Sequence, residues 1–203
     1  MRKFPALAAL TLGLSLALTA CVSDGSNDTS TAVSTTEHND ADVAFATDMI
    51  QHHAQALVMV DLTMDRDLDP EVQTLAEDIR EAQAPEIEIM TGWLTEWDEP
   101  IPATVRDHVN SDNPDGHDMG DGDDMGSDMP GMMTGEDMTA LEEASDAEFQ
   151  NMWLEMMVEH HEGAVQVAET AQAEGQYKPA VNLAEDIQKS QEAEIEKMQG
   201  LLS

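Results

Sequence analysis

Two long stretches near the start of the chain carry apolar residues at three- and four-residue spacing, the period of a helix that buries one face. With Met49 as reference and about 100° per residue, Phe45, Ala56 and Val60 fall within about 40° of one line. A second stripe runs through Val72, Leu75, Ile79, Gln83, Glu86, Met90 and Leu94. Between them, Asp69 followed by Pro70 has the form of an N-cap and a first helical residue. The spacing therefore predicts one helix from Asp42 to Arg66 and another from Pro70 to Trp97. Pro85 interrupts the second, where it should bend the helix or free a carbonyl. Later in the chain, "SDAE" at Ser145 to Glu148 resembles a capping box, Gly175 suits a C-terminal cap and Pro179 can open a last helix. No stretch alternates with the two-residue period of a strand.

Residues 49–94 align with residues 157–202 without a gap. Met49 falls on Met157, His52 and His53 on His160 and His161, and Ala56 on Ala164. "LAEDI" at Leu75 to Ile79 recurs at Leu183 to Ile187, and Gln83, Glu86, Ile87, Glu88 and Met90 recur as Gln191, Glu194, Ile195, Glu196 and Met198. Ala193 stands where the first unit has Pro85, so the last helix needs no break. A gapless match of this kind indicates a duplicated unit. Two duplicated helical hairpins of matched length predict an all-α fold, an antiparallel four-helix bundle spanning 42–203. The first hairpin covers 42–98 and the second 145–203.

The connection between them, 99–144, is dense in Met, Asp and Gly and includes "NPDGHDMGDGDDMGSDMPGMMTGEDM" at Asn113 to Met138. Its composition predicts an acidic linker that contributes no core element. Its apolar content is nearly all methionine, accompanied by His108 and His117.

Residues 1–20 have the layout of a secretory signal: Arg2 and Lys3, an apolar run to Leu18, then small residues. Leu18, Thr19, Ala20 and Cys21 resemble a lipobox, the site at which a cysteine is lipidated. The expectation is a lipoprotein outside the bacterial cell membrane, tethered through Cys21 and a flexible spacer that reaches residue 41. Cys21 is the only cysteine, which excludes an internal disulfide and any multi-thiolate metal site. With 43 acidic against 8 basic residues and a formal charge of −35, the chain repels nucleic acid and anionic lipid surfaces and attracts cations.

The chemistry sits on the apolar faces. His52 and His53 lie about 60° and about 40° to either side of Met49, so both border the buried wedge. Trp153, Met157, Ala164 and Ala168 repeat that geometry around His160 and His161, and the alanines leave room beside the imidazoles. Glu86 and Glu194 fall within the core stripes of their helices, as Gln83 and Gln191 do. A buried carboxylate needs a cation, an imidazole or a metal. Four histidines in symmetric positions favour metal over a purely structural network. Adjacent histidines diverge by about 100°, so each is expected to join Met49 or Met157, or a ligand from a neighbouring helix, rather than chelate one ion with its neighbour.

A di-iron bundle would place glutamate three residues before histidine, whereas here Met49 precedes His52 and Met157 precedes His160. Thioether with imidazole suits copper, above all Cu(I), ahead of zinc or iron. Some of the 15 methionines serve as core filler. No nucleophile with a base, phosphate loop or nucleotide motif is present, so an enzyme is not expected. A metal-dependent oxidase and a metal-free structural or partner-binding bundle stay open beside the copper reading.

The Met-[Ile/Val]-x-His-His-x-x-Ala element, the Gln-x-x-Glu-Ile-x-x-Met element and the "MPGMMT" segment resemble the secreted "domain of unknown function 305" family over roughly Asp42 to Leu202. The resemblance implies a ferritin-like four-helix bundle and, for characterised relatives, periplasmic copper binding linked to copper resistance. It implies copper ligands among Met49, His52, His53, Met157, His160 and His161, with Met132 and Met133 as further candidates. Met59, Gln83, Glu86, Met90, His117, Gln191, Glu194 and Met198 complete the residues expected near the metal or in its surround. Val167 stands where relatives often place methionine, opposite Met59 of the first unit, so the two half-sites are expected to differ in affinity. The partners expected are metal ions, the membrane through the Cys21 lipid, and a second copy of the chain or a copper-transfer protein.

Overall fold

The computed structural model describes residues 33–106 and 129–202. The signal segment, Cys21, His108 and His117 lie outside them. Within the described residues the chain is all-helical: α1 (Asp40–Asp61), α2 (Pro70–Glu96), α3 (Gly135–Glu143), α4 (Asp146–Glu174) and α5 (Lys178–Leu201). An isolated bridge between Ser34 and Tyr177 is the one β-type pairing among these residues. None of the described helices is long and apolar enough to cross a membrane.

α1 starts two residues before the expected position because Asn39 caps it. The Asn39 side chain accepts from the backbone N–H of Ala41 and Asp42, and the Asp42 carboxylate accepts from the Asn39 N–H at 2.9 Å, a capping box. Asp42 also accepts from the N–H of Gln176 and Tyr177, so the same buried carboxylate joins the start of α1 to the α4–α5 turn. The spacer is docked from Ser34 onward, contrary to a flexible tether reaching residue 41: Ser34 N–H donates to Gln176 and its carbonyl accepts from Lys178.

α1 ends at Asp61, not Arg66. The Thr63 hydroxyl donates to the Val60 carbonyl, competing with the helical ladder, and Asp65 takes a left-handed φ of 63°. Two expected caps do not form. Asp69 exchanges two hydrogen bonds with the Gln150 amide of α4 instead of capping α2. The Ser145 hydroxyl donates to the Glu148 carboxylate rather than accepting from the backbone of α4. Gly175 ends α4 with an ordinary φ of −67°, and its value is space: a Cβ there would stand 2.5 Å from the Ala171 carbonyl oxygen and 2.8 Å from Asp42 Oδ1. α2 runs unbroken through Pro85, whose exposed position leaves the carbonyl it cannot pair facing water.

Contacts fix the directions of the helices. Along α1 and α4, Met59 meets Trp153 through the indole N–H, His52 meets His160, and Asp42 reaches Gln176 just past the end of α4, so the two run in opposite senses. Asp61–Arg80 and His53–Glu86 show the same for α1 and α2, and His161–Glu194 with Gln172–Gln188 for α4 and α5.

The core is in two parts. One apolar cluster holds Met59, Leu75, Ile79, Trp153, Met157 and Met198, the other Phe45, Met49, Met90, Leu94, Ala168 and Ile187. On all four long helices the residues between the two clusters are the polar ones: His52 and His53, Gln83 and Glu86, His160 and His161, Gln191 and Glu194. The expectation that 113–138 adds nothing to the core fails from residue 129 onward. Met133 and Met138 are buried in the first cluster, and just beyond that stretch Leu141 is buried completely in the same cluster. A methionine can fill an irregular gap where glycine lets the backbone approach closely, so low overall hydropathy does not prevent local packing.

Candidate metal centre

The helix phase that puts Met49 and Met157 into the core carries the histidine pairs with them, and all four rings are at most 1% exposed. His53 Nε2 lies 2.7 Å from Glu86 Oε2, and His161 Nε2 lies 2.8 Å from Glu194 Oε2. Each pairing spans 33 residues, so the two hairpins repeat it. An ionised carboxylate only accepts, which places the proton on Nε2 and leaves Nδ1 of the neutral ring as a lone pair. A carboxylate holding the far nitrogen of an imidazole is the arrangement that orients and strengthens a metal-binding histidine. Glu86 and Glu194 occupy the edge of the layer rather than the middle of the core, with side chains 18% and 16% exposed. Their far ends reach water, which lowers the cost of keeping them charged.

His52 and His160 meet at the centre of the layer, with ring centroids 4.6 Å apart and planes at 65°. His52 Nε2 is 2.8 Å from the carbonyl oxygen of Pro130. A carbonyl has no proton to give, so His52 carries its proton on Nε2 and presents Nδ1 as an acceptor. Burial is the main cause that drives the His52 pKa down to about 4; repulsion from His53, which acts only when that ring is protonated, adds to it, and the Pro130 hydrogen bond opposes it. His160 is held well below the usual imidazole range, first by burial and then by His52, His161 and His53. The backbone of His52 approaches the His160 ring and opposes the lowering, but at a geometry short of a hydrogen bond, so neither ring nitrogen of His160 is satisfied.

Nδ1 of all four histidines is buried and unpartnered, as are both amide atoms of Gln83 and the Oε1 of Gln191. A buried polar atom left unsatisfied costs about 1–3 kcal/mol, so the amide oxygens and any unprotonated Nδ1 of this layer favour a proton donor or a Lewis acid, while Gln83 Nε2 needs an acceptor. The layer's donor set is buried imidazole nitrogen flanked by fully buried Met49, Met59, Met90, Met157 and Met198, which fits a soft cation. No group of three His, Cys, Asp or Glu is arranged to hold a metal among the described residues, so the imidazoles are gathered but not converged. Val167 is partly buried against the second cluster, whereas its counterpart Met59 is fully buried in the first.

Sequence reasoning missed the roof of the layer. The segment Pro130–Met133 crosses from α4 to α1 at the level of the histidines, and Met132 and Met133 are each 8% exposed. Gln55 clamps it, donating from Nε2 to the Met133 carbonyl and accepting the Met133 N–H, both at 2.8 Å. On α4, Gly163 has no side chain where Pro130 and Gly131 pass, and Gly131 adopts a φ of 75° with its α-carbon against that glycine. The signal was present: a glycine in mid-helix at Gly163, aligned with Gln55 by the offset that aligns the histidines.

The family model DUF305, described as a domain of unknown function, matches residues 42–202, and the chain belongs to that family. A solved DUF305 structure from Streptomyces coelicolor, of a protein named as secreted, is 36% identical, with 80% of this chain and 91% of that one covered and a TM-score of 0.65. CopM in its Cu(I)-bound form is 25% identical over 79% of this chain and 94% of that chain, with a TM-score of 0.60. Its Cu(II)-bound form gives 26% identity, 79% and 95% coverage and a TM-score of 0.61. Comparison with curated proteins finds no match. The solved relatives share the helical fold expected from the spacing of apolar residues.

Proposed function

We propose that this chain is an extracytoplasmic, lipid-anchored protein that binds copper, chiefly Cu(I), through the buried histidines and neighbouring methionines, for sequestration or transfer and without turnover. The observation that carries the reading is the set of four buried imidazoles whose Nδ1 atoms find no protein partner. Bare imidazole nitrogens beside thioethers suit Cu(I) better than iron or manganese, which take oxygen ligands. The likeness to CopM, solved with Cu(I) and with Cu(II), supports the same metal. The layer would offer His52 and His160 at its centre, His53 and His161 backed by their glutamates, and Met49 and Met157 one turn away. The secreted relative and the signal-like start support an extracytoplasmic location.

The test is a competition titration of the full-length protein with Cu(I) against a chromophoric chelator under reducing conditions, with Zn(II) and Fe(II) in parallel. Tight binding of Cu(I) in preference to the other two is expected. The double variant His52→Ala with His160→Ala should lose it while keeping its helical circular dichroism. Equal Cu(I) affinity in wild type and double variant would sink the proposal.

A further inference from the structure

The strap at Pro130–Met133 does more than cover the histidines. Gln55 and Gly163 stand at equivalent places in the two hairpins, each three residues after a central histidine, and both touch the strap. One does so with a buried amide that satisfies both backbone groups of Met133; the other does so by lacking a side chain. At the Gly163 end of the strap the Pro130 carbonyl also meets His52 Nε2. The same hydrogen bond dictates which nitrogen His52 can offer to a ligand.

We propose that Gln55 and Gly163 are positioning residues that seat the Pro130–Met133 strap, and that the seated strap fixes His52 with Nδ1 free and slows release of a bound soft metal. The inference rests on the copper reading for its second half only. The seat works by complementarity: on α1 a side-chain amide matched to the N–H and C=O of one residue, Met133, and on α4 bare backbone against bare backbone. The close approach at Gly163 is demanding, because a Cβ there would meet the Pro130 carbonyl and stand 2.6 Å from the Gly131 α-carbon. Alanine at 163 would therefore expel the strap while raising the helix propensity of α4. Gly92, with nothing within 4 Å of its would-be Cβ, supplies the control.

The experiment compares wild type, Gly163→Ala, Gln55→Ala and Gly92→Ala as full-length proteins. In the metal-free state, amide exchange at Met133 and the 15N shifts of the His52 ring are measured. In the Cu(I)-loaded state, the release rate to excess chelator is measured. Both strap variants should show Met133 exchange and Cu(I) release faster by about tenfold to a hundredfold, the range expected for losing one or two hydrogen bonds. The His52 ring should pass from a single Nε2-protonated tautomer to a mixture, and Gly92→Ala should behave as wild type. Unchanged Met133 exchange would show that these residues are not the seat and would overturn the proposal. Faster exchange with an unaltered His52 tautomer and release rate would overturn it equally, while leaving copper binding intact. If wild type binds no Cu(I), the copper reading fails by itself; the metal-free tautomer still decides whether the strap governs His52.

Discussion

Acid should destabilise the metal-free protein well before its carboxylates titrate, and His52 supplies a calculable part of the effect. Its pKa is about 4 in the fold against 6.5 for the free side chain, so the unfolded chain binds the extra proton first. Stability from this group is fully present above the unfolded value and is lost as pH falls from 6.5 toward 4. A difference of 2.5 units, 6.5 minus 4, corresponds to about 3 kcal/mol at the limit and about 2 kcal/mol near pH 5. His160 has the same sign and adds to it, because its range is lowered by the same burial. Asp48 has the opposite sign, since burial pushes its carboxyl up and protonation then favours the fold. The assay is urea unfolding between about pH 7.5 and about pH 5, comparing wild type with His52→Gln, whose amide keeps a donor for the Pro130 carbonyl. The difference reports His52 together with its share in the lowering of His160, because Asp48 and the surface acids are common to both proteins. Wild type should lose about 2 kcal/mol more than the variant across this window. Parallel curves would refute the claim that His52 is buried as a neutral ring.

Leu141→Ala tests whether α3 belongs to the core: a completely buried leucine should cost about 2–5 kcal/mol in urea unfolding, and a loss below about 0.5 kcal/mol would return 129–144 to the status of a linker. Asp42→Asn removes the charge from a carboxylate that accepts from the N–H groups of Asn39, Gln176 and Tyr177, so thermal unfolding should report a loss of about 1–3 kcal/mol. Glu86→Gln and Glu194→Gln keep an acceptor for the imidazole but lower its basicity, and chelator competition should find Cu(I) affinity weaker by about tenfold or more for each; unchanged affinity would place His53 and His161 outside the metal's ligands.

The long helices were legible because their apolar spacing is a property of single helices, and a helix needs little else to declare which side is buried. The histidine layer was legible for the same reason: His52 and His53 straddle Met49 wherever the bundle partner lies. What spacing could not supply was the pairing across helices. Glu86 was expected within the core stripe of its helix and sits at the edge of the layer beside His53, a placement set by how far α1 and α2 turn relative to each other. The caps misled for a related reason. Asp69 and Ser145 have the right side chains, but Gln150 and Glu148 compete for them. Asn39, with an acidic residue three positions later, was the stronger signal. Methionine and glycine in the strap concealed its burial, because the space it fills exists only through a missing side chain on another helix.

That strap also breaks the symmetry of the repeat. Two hairpins related by duplication offer equivalent histidines, yet a single segment crossing between them cannot meet both in the same way. It takes Nε2 of His52 and makes no hydrogen bond to either nitrogen of His160. The flanking core differs in the same sense, with Met59 fully buried in one half and Val167 partly buried in the other. On the proposed copper reading, His52 would meet the metal with Nε2 already held by the Pro130 carbonyl and a cover over it, whereas the strap makes no such hydrogen bond to His160. Equal halves would make His52→Ala and His160→Ala cost the same Cu(I) affinity. Unequal losses are expected here, and removing the seat with Gly163→Ala should bring the two closer together. If the single variants are indistinguishable in chelator competition, the strap is a passive cover and the duplication, not the connection, governs the site.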